Sequence, residues 1–287
     1  MERILIVGSA GQLGKSLQKI KKEFPQFIYA FKESHELDIT NKEDIETAFE
    51  EFKPHFCINA AAYTQVDRAE EDKARAFDVN KTGARYLAEI CLEFRTQLIH
   101  VSTDYVFDGN TNLPYSEDDW TCPINVYGTS KCEGEEEVLD ANPKSIVIRT
   151  SWLYSEYGKN FVKTMLSLFS AKKEIGVVAD QFGQPTYAED LARAILKIIA
   201  SPKKQAGIFH FSNFGETTWF DFAREIAAQV KSPIKIKPLT TEEYLTLAKR
   251  PQRSTLDLRK IEKVYGIELE YWQNSLENCL KNLNLIS

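Results

Sequence analysis

The chain has 287 residues, 43% hydrophobic and 27% charged, the make-up of a globular protein able to bury a sizeable core. A net charge of -6 argues against a nucleic-acid binder that works by broad phosphate neutralisation. No apolar run reaches the roughly 18 residues that span a bilayer, and Met1-Glu2-Arg3 leads straight into a short apolar strand, so a cytoplasmic protein with no membrane or nucleic-acid partner is expected.

Apolar stretches of strand character recur at 4–7, 27–31, 56–59, 98–101 and 146–148, separated by helix-like stretches at 14–23, 42–52, 69–94 and 130–139. The alternation predicts βαβ units and an α/β fold, a doubly wound parallel sheet of Rossmann type with helices on both faces. After about residue 150 the rhythm changes. Capping signals at Thr218-x-x-Asp221 and Thr240-x-x-Glu243 predict helices over the sequences that follow, and "DQFGQPT", "NFGET" and "KSPIKIKP" read as connectors. A helix over 188–200 is expected to return to the first lobe. The division is therefore a dinucleotide-binding domain over 1–150 and about 186–212, with a smaller C-terminal substrate-binding lobe over about 151–185 and 213–287. The five cysteines are scattered without C-x-x-C spacing and the four histidines without ligand spacing, so reduced thiols and no metal are expected.

The first strand runs into Gly8-Ser9-Ala10-Gly11-Gln12-Leu13-Gly14 and then a helix. Glycines there give a tight turn, close backbone approach to a pyrophosphate and intimate helix–strand packing, while the helix amino terminus offers free N–H groups to phosphate. At the end of the second strand, Lys32 favours a 2′-phosphate and so NADP(H), whereas Glu33 favours NAD(H), which stays possible. "NVYGTSKCEGE" carries Tyr127-x-x-x-Lys131, a spacing that stacks phenol and ammonium on one helix face. A free phenol has a pKa of about 10, and a neighbouring cation is expected to lower it toward the working range.

The G-x-x-G-x-x-G spacing, Asn80 with Gly83, Ser102-Thr103 and Tyr127-x-x-x-Lys131 follow the order of the extended short-chain dehydrogenase/reductase superfamily, which this chain resembles. The resemblance implies that Asp38 and Ile39 lie against adenine, the alternative for that pair being a cap for the next helix. It also brings Ala61, Ala62, Tyr63 and Thr64 close to the cofactor. Lys131 would hold the nicotinamide ribose, Thr103 would align the substrate oxygen, and Tyr127 would protonate it.

"NAAAYTQVDRAEED", "STDYVFDG", "PINVYGTSKCEGE", "RTSWLY", "NFVKTML", "VVADQFGQPT" and "KRPQRS" resemble the dTDP-4-dehydrorhamnose reductase family over nearly the whole chain. That likeness implies NAD(P)H-dependent reduction of the 4-keto group of dTDP-4-dehydro-6-deoxy-L-mannose to dTDP-L-rhamnose, a nucleotide-sugar substrate. Thr103, Tyr127 and Lys131 would be catalytic. Asp104, Tyr105 and Trp152 would contact the sugar, the alternative for Trp152 being core packing. Arg250 and Arg253 would clamp the diphosphate or else be solvated charges. Related dehydratases carry Asp-Glu where this chain has Asp104-Tyr105, which disfavours elimination of water. Two alternatives stay open: a ketoreductase for another nucleotide 4-keto-6-deoxy sugar, and a non-catalytic regulatory protein like the beta subunit of methionine adenosyltransferase. Some family members dimerise through magnesium held by glutamates, one of them at the position of Ser16 here, although Glu189 matches another. The expectation is a monomer or weak homodimer without bound metal.

Overall fold

A computed structural model describes residues 1–286. Six parallel strands form the central sheet: β1 (Glu2–Val7), β2 (Phe27–Lys32), β3 (Phe56–Asn59), β4 (Gln97–Thr103), β5 (Ile146–Thr150) and a last strand, Gly207–His210. Across the sheet they run from the last strand through β5, β4, β3 and β1 to β2. This is the expected α/β architecture. Strand residues alternate faces, so Ile4, Ile6 and Ile58 enter one core while Leu5, Val7 and Cys57 enter the other. Helix α1 (Gln12–Ile20) and the helix Ala188–Ala200 cover the first face. The second is covered by α2 (Lys42–Phe52), α5 (Ala84–Glu93) and α6 (Val126–Ala141), with the short helices α3 (Val66–Ala69) and α4 (Lys73–Phe77) packed against α6.

Chain order reverses between β1 and β3, because β1 is followed by β2 on one side and β3 on the other. A crevice opens at the carboxyl ends of strands at such a point. A further core, built on Tyr154, Met165, Tyr187, Phe222, Trp272 and Leu276, belongs to the later part of the chain.

Three local readings need correction. The stretch 69–94 is not one helix: α3 ends at Ala69, and a π-helical turn, Asp78–Gly83, joins α4 to α5. That widened turn carries Asn80, whose side chain bonds outside the helix. At 240–243 the capping box forms, with Glu243 Oε2 accepting from Thr240 N at 2.8 Å, yet no helix follows. Leu245 and Leu247 are 89% and 66% exposed, so an amphipathic helix there would have no face to bury. The supposed connector around 235–239 is a strand, Lys235–Leu239, paired in parallel with Glu174–Val178.

Arg149 on β5 makes a bidentate pair with Glu135 on α6, its Nη2 lying 2.7 Å from Oε2, and both side chains are 3% exposed. His210 completes the group. Its Nδ1 lies 3.1 Å from the Tyr115 carbonyl and its Nε2 lies 3.5 Å from Arg149 Nη1. Removing one charge strands the other in the interior, so Glu135→Gln is expected to cost about 3–5 kcal/mol in urea unfolding. Burial, followed by the Arg149 guanidinium, pushes His210 down to about 3. An unfolded histidine titrates near 6.5, so between roughly pH 6.5 and 3 the unfolded chain binds the extra proton and stability falls with falling pH. A His210→Gln variant keeps a donor and an acceptor there, and its urea midpoint should fall less than the parent's between pH 7 and 5.

Candidate active site

The glycine loop and the end of β3 meet backbone to backbone. At Gly8, φ is +76° and a Cβ would lie 2.5 Å from the Ala61 nitrogen. Gly14 packs α1 on the loop, since its Cβ would lie 2.4 Å from the Ser9 Cα. Gly11 faces outward and precedes α1, whose first-turn N–H groups receive no side-chain cap. These are the conditions for an anion at a helix amino terminus. A cleft of about 330 Å³ follows, lined by Gly8, Gly11, Ser34, Asp38, Ile39, Ala61, Ala62, Tyr63 and Arg75 among others.

Other residues assigned to the cofactor from sequence stand elsewhere. The Leu13 side chain is core, and the Gln12 amide oxygen accepts from Ser155 Oγ at 2.9 Å and Asn160 Nδ2 at 2.8 Å, tying the loop to the segment that follows β5. Lys32 meets the loop through its carbonyl, which accepts from Ser9 N at 3.1 Å, and neither its side chain nor exposed Thr64 lines the cleft. Asp38 does not cap α2. Asn41 does, through Glu43 N, while Asp38 Oδ1 accepts from Thr40 N at 2.9 Å. Arg75 escaped the sequence reading: its guanidinium lies 3.8 Å from Asp38 and lines the cleft, a position set by the fold and not by local pattern.

The three catalytic candidates converge. Thr103 ends β4 and donates to Asp104 Oδ1 at 3.0 Å. Tyr127 lies in the first turn of α6, whose cap Asn125 accepts from Gly128 N at 2.7 Å, and the Thr103 hydroxyl is the polar group that bears on its phenol. One turn on, Lys131 Nζ donates to the Val101 carbonyl at 2.7 Å and lies 3.3 Å from His100 Nε2. Helix α6 comes this close because it presents glycine: a Cβ on Gly128 would lie 2.2 Å from the Tyr105 carbonyl oxygen, and one on Gly134 2.1 Å from that of Asn80. Asn80 Nδ2 then bonds Ser130 Oγ at 2.9 Å, while its Oδ1 accepts from Tyr63 N at 2.8 Å, linking α6 to the cofactor cleft.

Electrostatics correct one expectation. Lys131 does not bring the phenol down; burial pushes Tyr127 up to about 12, against the opposing hydrogen bond with Thr103. Lys131 Nζ is anchored back on the Val101 carbonyl of β4 and does not offset that desolvation. Tyr127 is thus a protonated donor at neutral pH. Burial pushes Lys131 down to about 8, with Glu135 opposing, and pushes Asp104 up to about 7, against hydrogen bonds with Ser254 and Thr103. Ser254 was not singled out from the sequence.

Tyr105 sets its ring edge-on to Tyr127, centroids 5.8 Å apart. Trp152 lies beyond β5 at φ +45°, its indole stacked on Trp219 at 3.5 Å with Gly183 beneath. Neither arginine is a free charge. Arg250 forks onto Asp67 at 2.7 and 3.0 Å, and Arg253 grips Glu216 at 2.9 Å while lying over the Phe182 ring.

A family model described as the RmlD substrate binding domain matches residues 1–285. The chain belongs to this family. It is 45% identical to a dTDP-4-dehydrorhamnose reductase of Aggregatibacter actinomycetemcomitans, over 97% of this chain and 98% of that protein. Two solved structures, a dTDP-4-dehydrorhamnose reductase of Clostridium acetobutylicum and one of Bacillus anthracis in complex with NADP, both superpose with a TM-score of 0.94. They are 40% and 38% identical, each covering 98% of this chain and 99% of that one. The packing of Trp152 over Gly183 can be tested directly. A methyl on Gly183 would lie 2.6 Å from Trp152 Cε2, so Gly183→Ala should unstack the indoles, abolish their coupled circular-dichroism bands and cost about 1–3 kcal/mol.

Proposed function

We propose that the protein is an NAD(P)H-dependent dTDP-4-dehydrorhamnose reductase, reducing the 4-keto group of dTDP-4-dehydro-6-deoxy-L-mannose to dTDP-L-rhamnose. The observation that carries this reading is the gathering of Thr103, Tyr127 and Lys131 where α6 packs on the carboxyl end of β4, connected through Asn80 and Ser130 to a cleft fitted for a dinucleotide. The family and its named relatives support the sugar nucleotide as substrate.

The residues fit the cofactor: backbone-only contact at Gly8, uncapped N–H groups on α1 and a cleft bounded by Asp38 and Arg75. Bound there, a reduced nicotinamide supplies hydride to the carbonyl carbon. The Thr103 hydroxyl orients the carbonyl oxygen, and Tyr127 gives that oxygen its phenolic proton. Lys131 stabilises the phenolate left behind and holds the ribose. Arg75 supports NADP(H) as the favoured form, with NAD(H) accepted, because a guanidinium suits a 2′-phosphate while Asp38 suits a free ribose hydroxyl. Trp152 with Tyr105 would form the sugar wall, and Arg250 and Arg253 would exchange a carboxylate oxygen for phosphate as substrate enters.

In this reading 1–150 and about 186–212 form the cofactor domain, and the remainder forms the substrate lobe. We further propose a cytoplasmic enzyme, in keeping with five free cysteines, and a monomer or weak homodimer. Glu189 supports the latter, being neutralised by Lys19 at 2.7 Å and Arg193 at 3.1 Å.

The test is NAD(P)H absorbance with dTDP-4-keto-6-deoxyglucose and the 3,5-epimerase that makes the substrate. Tyr127→Phe should lower kcat about 10²–10⁴-fold with little change in cofactor affinity, the usual worth of a positioned acid. Turnover that ignores the epimerase would redirect the reading to another 4-keto sugar. Cofactor binding without turnover on any such sugar would sink it.

A further inference from the structure

Behind the catalytic lysine lies a chain of hydrogen bonds that can be solved for its protons. Asn59 and His100 are buried neighbours in register on β3 and β4. Asn59 Oδ1 accepts from Ala61 N at 3.1 Å, which fixes the amide orientation and leaves Nδ2 to face His100 Nδ1 at 3.0 Å. An amide nitrogen only donates, so Nδ1 of His100 must be a bare acceptor. The other ring nitrogen, Nε2, faces Lys131 Nζ at 3.3 Å. Rotating the ring by half a turn would set carbons against both polar partners.

A neutral imidazole whose Nδ1 is bare carries its proton on Nε2. An ammonium has three donors and no acceptor, so Nε2–H facing a charged Lys131 would be donor against donor inside the protein, a costly arrangement. A neutral amine resolves it. One N–H of Lys131 goes to the Val101 carbonyl at 2.7 Å, and the nitrogen lone pair accepts Nε2–H. We propose that Asn59 and His100 lower the proton affinity of Lys131 in the free protein, by fixing the imidazole proton on Nε2 and aiming it at Nζ.

The surroundings agree. Glu135 on the same helix is the carboxylate that bears on Lys131, and it is already neutralised by Arg149 from β5. Tyr127 is a protonated phenol, and Asp104, the carboxyl that bears on it, accepts from the Thr103 hydroxyl. Burial also lowers Lys131 to about 8 and holds His100 well below the ordinary imidazole range. The consequence for the proposed reductase, on whose reading this role rests, is that Lys131 takes its proton more readily when something replaces the imidazole proton's hold on it. Asn59 and His100 are then positioning residues.

The test needs neither substrate nor turnover. Nitrogen NMR of the full chain should mark His100 Nδ1 as bare and Nε2 as protonated. The Nζ resonance of Lys131, identified by its loss in Lys131→Met, should titrate well below the range of the exposed lysines. The Asn59→Asp substitution is nearly isosteric and its carboxylate can still accept from Ala61 N. It would accept a proton-bearing Nδ1 and turn Nε2 into an acceptor for an ammonium, so the Lys131 midpoint should rise by about one pH unit or more. The acid-side inflection of kcat/KM should move with it. A protonated Nδ1 in the parent, or a Lys131 midpoint unmoved by Asn59→Asp, overturns the proposal. Lack of turnover alone would count against the reductase reading and leave these resonances as decisive as before.

Discussion

Helix α6 lies against its neighbours at backbone distance, and the rest of the site depends on that approach. Its buried face is Gly128, Ser130, Lys131, Cys132, Gly134, Glu135 and Val138, so little of it is apolar. Such a face is stable only if every polar group has a partner. Each of these does: Ser130 is bonded by Asn80, Lys131 bonds Val101, and Glu135 is gripped by Arg149. The glycines remove the side chains that would hold these partners apart.

From that packing the chemistry follows in sequence. Lys131 is buried because α6 sits directly on β4, burial favours its uncharged form, and the same desolvation keeps Tyr127 protonated. A protonated phenol beside a hydroxyl that can align a carbonyl is the state a reductive step requires. The π-helical turn at Asp78–Gly83 extends the arrangement, since it turns Asn80 toward both Tyr63 and Ser130 and so joins the cleft beside the glycine loop to α6. Widened turns of this kind are common at functional sites.

Much of this was legible in the residues. Strand–helix alternation, the glycines after β1 and the Tyr127-x-x-x-Lys131 spacing are short-range patterns that the backbone converts directly into geometry. His100 carried a faint signal, a polar ring inside the otherwise apolar strand "LIHVS", but its meaning depends on Asn59 lying opposite in register. Thr240-x-x-Glu243 shows the opposite failure: the cap formed as its pattern demands, and the helix did not, because no surface waits for Leu245 and Leu247.

The sequence by itself determined the α/β class, the order of the candidate catalytic residues and the face of α6 on which Tyr127 and Lys131 stand, since all of these rest on short-range pattern along the chain. Tertiary structure alone decided that Arg75 enters the cleft, that Asn59 and His100 back Lys131, and that Arg250 meets Asp67 across 183 positions of chain. Those pairings are fixed by strand register and helix packing, which join residues that no local spacing connects.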